Sequence, residues 1–151
     1  MKTLVVYDSK FGNTKLVAET VAEVCGSTAI NVNEFNPAQL AGVALLVVGS
    51  PIHNWGPSSN TVHFLSRIGK TSLKGKYVAA FETGYHSALA GKAATRILKA
   101  LAKVGGSELV PPQKFIVEGS EGPLGQQEIE HAREWSQELL KRLQSAEPLQ
   151  V

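Results

Sequence analysis

Ser9, Gly12, Asn13 and Thr14 crowd into "DSKFGNT" (residues 8–14), between an apolar run ending at Tyr7 and a helix-like pattern that begins at once. An ordinary strand-to-helix turn needs one glycine and one capping residue, so the extra hydroxyl and amide groups point to a ligand. A helix starting near Thr14 presents unpaired backbone N–H groups and the positive end of its dipole, and both favour an anion. Gly12 lets the backbone approach closely. Ser9, Asn13 and Thr14 can donate to phosphate oxygens, and successive N–H groups add an anion-binding concavity. The alternative is that Asn13 or Thr14 only caps the helix. Two further segments are as unusual: "GSPIHNWGPSS" (49–59) and "ETGYHSA" (82–88). Each combines glycine and hydroxyl residues with one large aromatic, Trp55 in the first and Tyr85 in the second.

The elements that must position these loops follow from periodicity. Residues 3–7, 29–32, 43–48, 77–81 and 114–117 are short runs rich in β-branched and aromatic side chains. The third and fourth are nearly continuous apolar runs, which suits strands covered on both faces. Between them lie helical spacings. Val17, Val21 and Val24 form one face, and the short "NPAQLAG" has Asn36 as cap with Pro37 at the first helical position. Val62, Leu65 and Ile68 line the next stretch. Ala94, Ile97, Leu98, Leu101 and Val104 line the fourth, which stops at Gly105–Gly106. Ile129, Ala132, Leu139, Leu140 and Leu143 line the last. Five strands alternating with helices predict an α/β fold, a doubly wound open five-stranded parallel sheet with helices on both faces. In such sheets ligands sit beyond the carboxyl ends of the strands, beside the point where strand order reverses. The loops there are the three unusual segments.

Size and composition bound the rest. A chain of 151 residues, 43% hydrophobic and 19% charged, reads as one globular domain spanning 1–151, with no internal repeat or linker. One cysteine, Cys25, excludes an internal disulfide and any multi-cysteine zinc site. It falls on the apolar side of the first helix and suits a packing role. The four histidines have no metal-ligand spacing, so no metal is expected. The longest apolar run is far below membrane-spanning length and the N-terminal run is too short for a signal peptide, which gives a cytoplasmic expectation with no membrane insertion. The formal net charge is +2 and the basic residues read as scattered, with few aromatics between them, so nucleic-acid binding has little support. "GKT" at 69–71 is not a nucleotide P-loop, because Phe64 stands where the leading glycine belongs.

The loop "SKFGNT" following "LVVYD" resembles the phosphate loop of the flavodoxin family, and the order of elements and the two other loops resemble that family along essentially the whole chain. It is similar to the short-chain branch. The resemblance implies FMN as cofactor. Ser9, Gly12, Asn13 and Thr14 then stand at phosphate-contacting positions, with the backbone amides of Lys10 and Phe11. Phe11 departs from the small hydroxyl residue usual there, and Lys10 is read as solvated. Trp55 and Tyr85 would stack on the isoalloxazine ring. Taken singly, Trp55 also reads as a partner-interface residue and Tyr85 as a core residue. Ser50, Pro51, Asn54, Thr83 and Gly84 are further candidates for ribityl and pyrimidine contacts. His86 is either a proton donor at the flavin edge or a solvated surface histidine.

Family likeness also implies a flexible "WG" peptide, whose glycine carbonyl, that of Gly56, can turn toward the flavin N5–H and stabilise a neutral semiquinone. Pro57 departs from the pattern, since it has no N–H to donate to N5. Charge is the larger departure: flavodoxins are typically strongly acidic, and this chain is slightly basic, with Glu82 the acid nearest the proposed ring site. A receiver domain shares the architecture but needs paired acids after the first strand, where Asp8 stands alone. The resemblance implies an electron-transfer protein passing single electrons between redox partner proteins. The alternatives are an FMN-dependent reductase of a quinone or other small-molecule electron acceptor using NAD(P)H, and a flavin-less interaction module.

Overall fold

The computed structural model describes residues 1–86 and 92–149. Its elements are β1 (Lys2–Tyr7), α1 (Asn13–Val24), β2 (Ala29–Asn31), β3 (Val43–His53), β4 (Gly56–Pro57), α2 (Ser59–Ile68), β5 (Tyr77–Gly84), α3 (Ala93–Lys103), β6 (Ser107–Glu108), β7 (Gln113–Ile116) and α4 (Glu128–Ser145). The sheet runs β2-β1-β3-β5, and β6 and β7 pair in succession along the far edge of β5. These strands are parallel; only β4 turns back antiparallel on the end of β3. Val5 stands opposite both Ala29 and Val47, and Val47 opposite Ala79. Because β1 lies between β2 and β3, the strand order reverses there, and the carboxyl ends of β1 and β3 form the crevice.

The expected strands form, and their apolar continuity has the expected cause. Val5, Val6, Leu45 to Val48 and Val78 to Phe81 are covered on both faces. On one face, Leu4, Val6, Leu46, Val48 and Ala80 pack beneath Phe64 and Ile68 of α2 and Ala94, Ile97 and Leu101 of α3. On the other, Val5, Val47, Ala79 and Phe81 pack beneath Val17 and Val21 of α1 and Trp135 and Leu139 of α4, and Cys25 packs there as expected. Gly49 makes room for the Phe81 ring: a β-carbon on Gly49 would lie 2.0 Å from its Cζ. The ring meets Phe115 and Trp135 edge-on at 5.8 and 5.9 Å.

Three local readings change. "NPAQLAG" forms a single 3-10 turn over Pro37–Leu40, though Asn36 caps it as expected, accepting from the Ala38 N–H at 2.9 Å. Helix α2 buries Thr61, Phe64 and Ile68, which leaves Val62 exposed. Ser58 supplies its N-cap, accepting the Thr61 N–H at 3.3 Å, and Thr61 then packs inward one turn from Phe64. Third, the basic residues are gathered. Residues 54–106 hold eight Lys and Arg and one acid, Glu82, which leaves seven cations against twelve acids elsewhere. The layer of α2 and α3 is therefore basic, and that of α1 and α4 carries the acids. Among the described residues, no helix is long and apolar enough to cross a membrane.

Candidate functional site

Beyond β1 the chain turns through Ser9 and Gly12 into α1. Gly12 is the N-cap, with φ +96°, and no side chain caps the helix. Open space surrounds the position where a β-carbon would stand, so the left-handed backbone, and not crowding, demands glycine. Neither Asn13 nor Thr14 is the cap, which removes the purely capping reading of this loop. Ser9 Oγ accepts the Gly12 N–H at 3.1 Å and closes the turn. The first helical bond is Leu16 N–H to Gly12 O, at 3.0 Å. Among the described residues, the N–H groups of Lys10, Phe11, Asn13, Thr14 and Lys15 have no acceptor. A tight cluster of free N–H groups at a helix start is a strong anion-binding feature.

The side chains expected to join them do other work. Thr14 is buried, and its hydroxyl shares a 2.8 Å hydrogen bond with that of Thr83 at the end of β5. Asn13 Nδ2 donates to Glu121 O at 3.2 Å, tying down the loop after β7. Both brace neighbouring segments around the loop.

Strand β3 runs five residues past its expected end and folds back through a two-residue turn into β4. His53 pairs with Gly56, and Asn54 and Trp55 between them have φ +50° and +64°. Positive φ at both central residues is the type I′ turn that matches strand twist. Asparagine tolerates that conformation, while tryptophan in it costs about 1–2 kcal/mol. The indole is nonetheless 68% exposed. The turn therefore holds a large apolar ring in solvent at a conformational cost.

Gly56 is not the left-handed residue of this turn. It lies in β4, buried, with Arg96 Nη1 2.6 Å from where its β-carbon would stand. The Trp55 carbonyl accepts the Lys92 N–H at 3.1 Å.

A cavity of about 300 Å³ lies between these loops, lined by Ser9, Lys10, Phe11, Asn13 and Thr14, by Pro51 to Trp55, by Thr83 to Tyr85, and by Val117, Gly119 and Ser120. The structure thus brings together eleven of the expected residues: Ser9, Lys10, Phe11, Asn13, Thr14, Pro51, Asn54, Trp55, Thr83, Gly84 and Tyr85. Gly12, Ser50, Gly56 and His86 lie off its wall. Ser87 and Ala88, which close the third loop, lie outside the described residues. Ile52, His53, Val117, Gly119 and Ser120 were not anticipated. The "EGSEG" cluster at 118–122 was a readable turn signal at a strand end.

Among the described residues no carboxylate lines the cavity and Lys10 is its fixed charge, held 5.2 Å over the Phe11 ring. Phe11, Trp55 and Tyr85 are 47%, 68% and 46% exposed, and all three border this one space. Glu82 stands clear of it. Its carboxylate accepts the Ala94 N–H at the start of α3 at 2.9 Å and lies 3.9 Å from Lys114 Nζ. Behind the wall, Ser58 Oγ donates to Asp8 Oδ2 at 2.5 Å, and Ser50 Oγ accepts the Ser58 N–H at 3.0 Å. Ser50 thus belongs to a buried network joining the ends of β1 and β3 to the cap of α2.

The donor set and walls suit a ligand with an anionic end and a flat apolar end, in the crevice where an open α/β sheet binds ligands. A family model described as a flavodoxin domain matches residues 4–119. No curated protein matches the sequence. Among solved structures, a flavodoxin from the domain Archaea superposes with a TM-score of 0.81 at 19% identity, over 95% of this chain and 99% of that one. Oxidised flavodoxin 1 from Bacillus cereus gives 0.80 at 17%, over 93% and 98%. A WrbA-like flavodoxin from Agrobacterium tumefaciens gives 0.79 at 20%, over 97% and 99%. The structural likeness establishes the shared fold, and with the family match over most of its length the chain belongs to the flavodoxin domain family.

Proposed function

We propose that the chain binds one FMN in this cavity and passes electrons singly between redox partners. One observation carries the reading. The cavity is lined by four residues whose N–H groups have no acceptor among the described residues, Lys10, Phe11, Asn13 and Thr14, and by two exposed aromatics from other loops, Trp55 and Tyr85. Such a donor set fits a phosphate dianion without needing a cation, because backbone dipoles aimed at one point supply the charge compensation. The aromatic walls fit a tricyclic ring by stacking and exclude water from its faces. Lys10 adds positive charge at the rim, and the absence of a lining carboxylate removes any repulsion toward an anion. When bound, FMN supplies one- and two-electron chemistry at its ring, and the protein sets orientation and access. A cytoplasmic setting belongs to the same reading, because the free Cys25 suits a reducing compartment.

The test is to add FMN to the purified protein, remove the excess, record the absorption spectrum, and titrate anaerobically with dithionite. Retained flavin reduced in two resolved steps supports the carrier. Reduction in a single two-electron step, with NAD(P)H oxidised in the presence of a quinone, would replace it with a reductase. Failure to retain flavin at any concentration would leave only the fold. Riboflavin, which lacks the phosphate, is expected to bind at least about tenfold more weakly than FMN, in line with about 1.5 kcal/mol or more for charge-assisted hydrogen bonds.

A further inference from the structure

A formal charge of +2 conceals a strong polarity, and its basic pole adjoins the cavity. Lys92, Arg96, Lys99 and Lys103 follow one another at spacings of four, three and four residues, so they form a single stripe along α3 about 16 Å long. All four are exposed, and none has an ion-pair partner among the described residues. Neither α3 nor α2 beside it contains an acid. The stripe is anchored at the rim of the cavity by two contacts. The Lys92 N–H donates to the Trp55 carbonyl, and the Arg96 guanidinium lies over Gly56. The other exposed cations of this layer, Lys70 and Lys74, precede β5, at the end of the sheet away from the cavity.

We propose that this stripe, with the Trp55 turn at its head, is the docking surface for an acidic partner protein. Four unpaired cations in a row raise the local concentration of an anionic surface and orient it as it arrives. The stripe would lead that surface to the exposed aromatic edge of the cavity, where electrons can cross. Uncharged Val62, 52% exposed on neighbouring α2, favours a protein over a nucleic acid, since no aromatic interleaves the stripe to stack a base. The redox role of the partner rests on the flavin reading; its acidity does not.

The test therefore has two arms. The first needs no flavin: binding of a fluorescein-labelled decaglutamate peptide by anisotropy, beside a labelled single-stranded oligonucleotide and phosphatidylserine vesicles. Variant K92E/K99E brings the stripe to zero net charge, and K141E/R142E on α4, across the sheet, makes the same change of net charge away from it. Decaglutamate binding is expected to weaken at least about tenfold in the stripe variant and to change little in the control. Equal weakening in both would overturn the proposal, as would tighter binding of the oligonucleotide or the vesicles than of the peptide. So would dimers at low ionic strength that the stripe variant abolishes, since a second copy's acidic face would then be the occupant.

The second arm uses reduced, FMN-loaded protein against oxidised rubredoxin, which is acidic, and cytochrome c, which is basic. Ionic strength is raised from about 0.01 to about 1 M, shrinking the Debye length from about 30 to about 3 Å. Rates with rubredoxin should fall with salt and those with cytochrome c should rise, and the stripe variant should flatten both trends. Rates with rubredoxin that are flat or rising would overturn the proposal. Should no flavin be retained, the flavin reading fails alone, and the first arm still decides the stripe.

Discussion

Removal of one hydroxyl that never touches the cavity should weaken both the fold and the site. Ser58 caps α2 by accepting the Thr61 N–H, and it donates to the carboxylate of Asp8, which is only 6% exposed. Ser58→Ala removes an N-cap, typically worth about 0.5–2 kcal/mol. It also takes from a buried carboxylate a charge-assisted bond, worth about 1.5–3 kcal/mol. Asn60 Nδ2, at 3.5 Å from Asp8, is too distant to replace it. The expected loss is therefore about 2–5 kcal/mol, read from urea unfolding followed by circular dichroism. Asp8→Asn removes the charge, so the double variant should be more stable than the two single losses imply, by about 1 kcal/mol or more. Because the network ties the end of β1 to the segment between β3 and α2, FMN affinity should fall in parallel, by roughly tenfold. A loss below about 1 kcal/mol, or strict additivity of the two changes, would refute the assignment of Ser58 as the link between the loops.

Gly49→Ala should destabilise by about 3 kcal/mol or more, since its β-carbon would overlap the Phe81 ring, and Phe81→Leu should recover part of the loss in a thermal melt of the double variant. Trp55→Ala and Tyr85→Ala should each weaken FMN binding by about tenfold in fluorescence titration, and should weaken riboflavin equally, because both act on the ring and not on the phosphate. Gly12→Ala should cost about 1–2 kcal/mol through its φ of +96° alone, measurable by chemical denaturation, with no steric clash to relieve. Burial pushes the Cys25 thiol up to about 11 from an ordinary 9.0. Labelling of the native protein by iodoacetamide should therefore stay slow at pH 9 and rise only toward pH 11. Between those values the unfolded chain gives up a proton that the folded chain keeps, so stability falls as pH rises through that window.

The departures between sequence and structure have separate physical causes. Two apolar registers fit α2, one through Val62 and Leu65 and one through Thr61 and Phe64, and hydropathy alone favours the first. The Ser58 cap is what admits a threonine to the buried side. Trp55 was legible as an unusual aromatic in a candidate loop, but its left-handed backbone was not, because the rule that tryptophan avoids positive φ points the other way. Gly56, expected to lend freedom to its peptide, lies in β4 beside the Arg96 guanidinium, a residue forty positions away. The basic stripe of α3 was present in the spacing of 92, 96, 99 and 103. Its meaning depended on which helix shares a face with α2 and which carbonyl meets Lys92.

The sequence by itself determined the alternation of strands and helices and, through the continuous apolar runs, a sheet covered on both faces. Those properties are local, set by periodicity within ten or so residues and by the demand that apolar surface leave water. It also marked three loops by composition, since glycine, hydroxyl and aromatic residues at strand ends have few purely structural uses. Only the tertiary structure decided how those loops combine. It engaged Asn13 and Thr14 with Glu121 and Thr83 and left the loop's backbone amides without acceptors among the described residues. It moved Ser50 into a buried network and brought Val117, Gly119 and Ser120 into the wall. Contacts of this kind join residues up to 108 positions apart. They follow from strand order and register, which no single segment encodes.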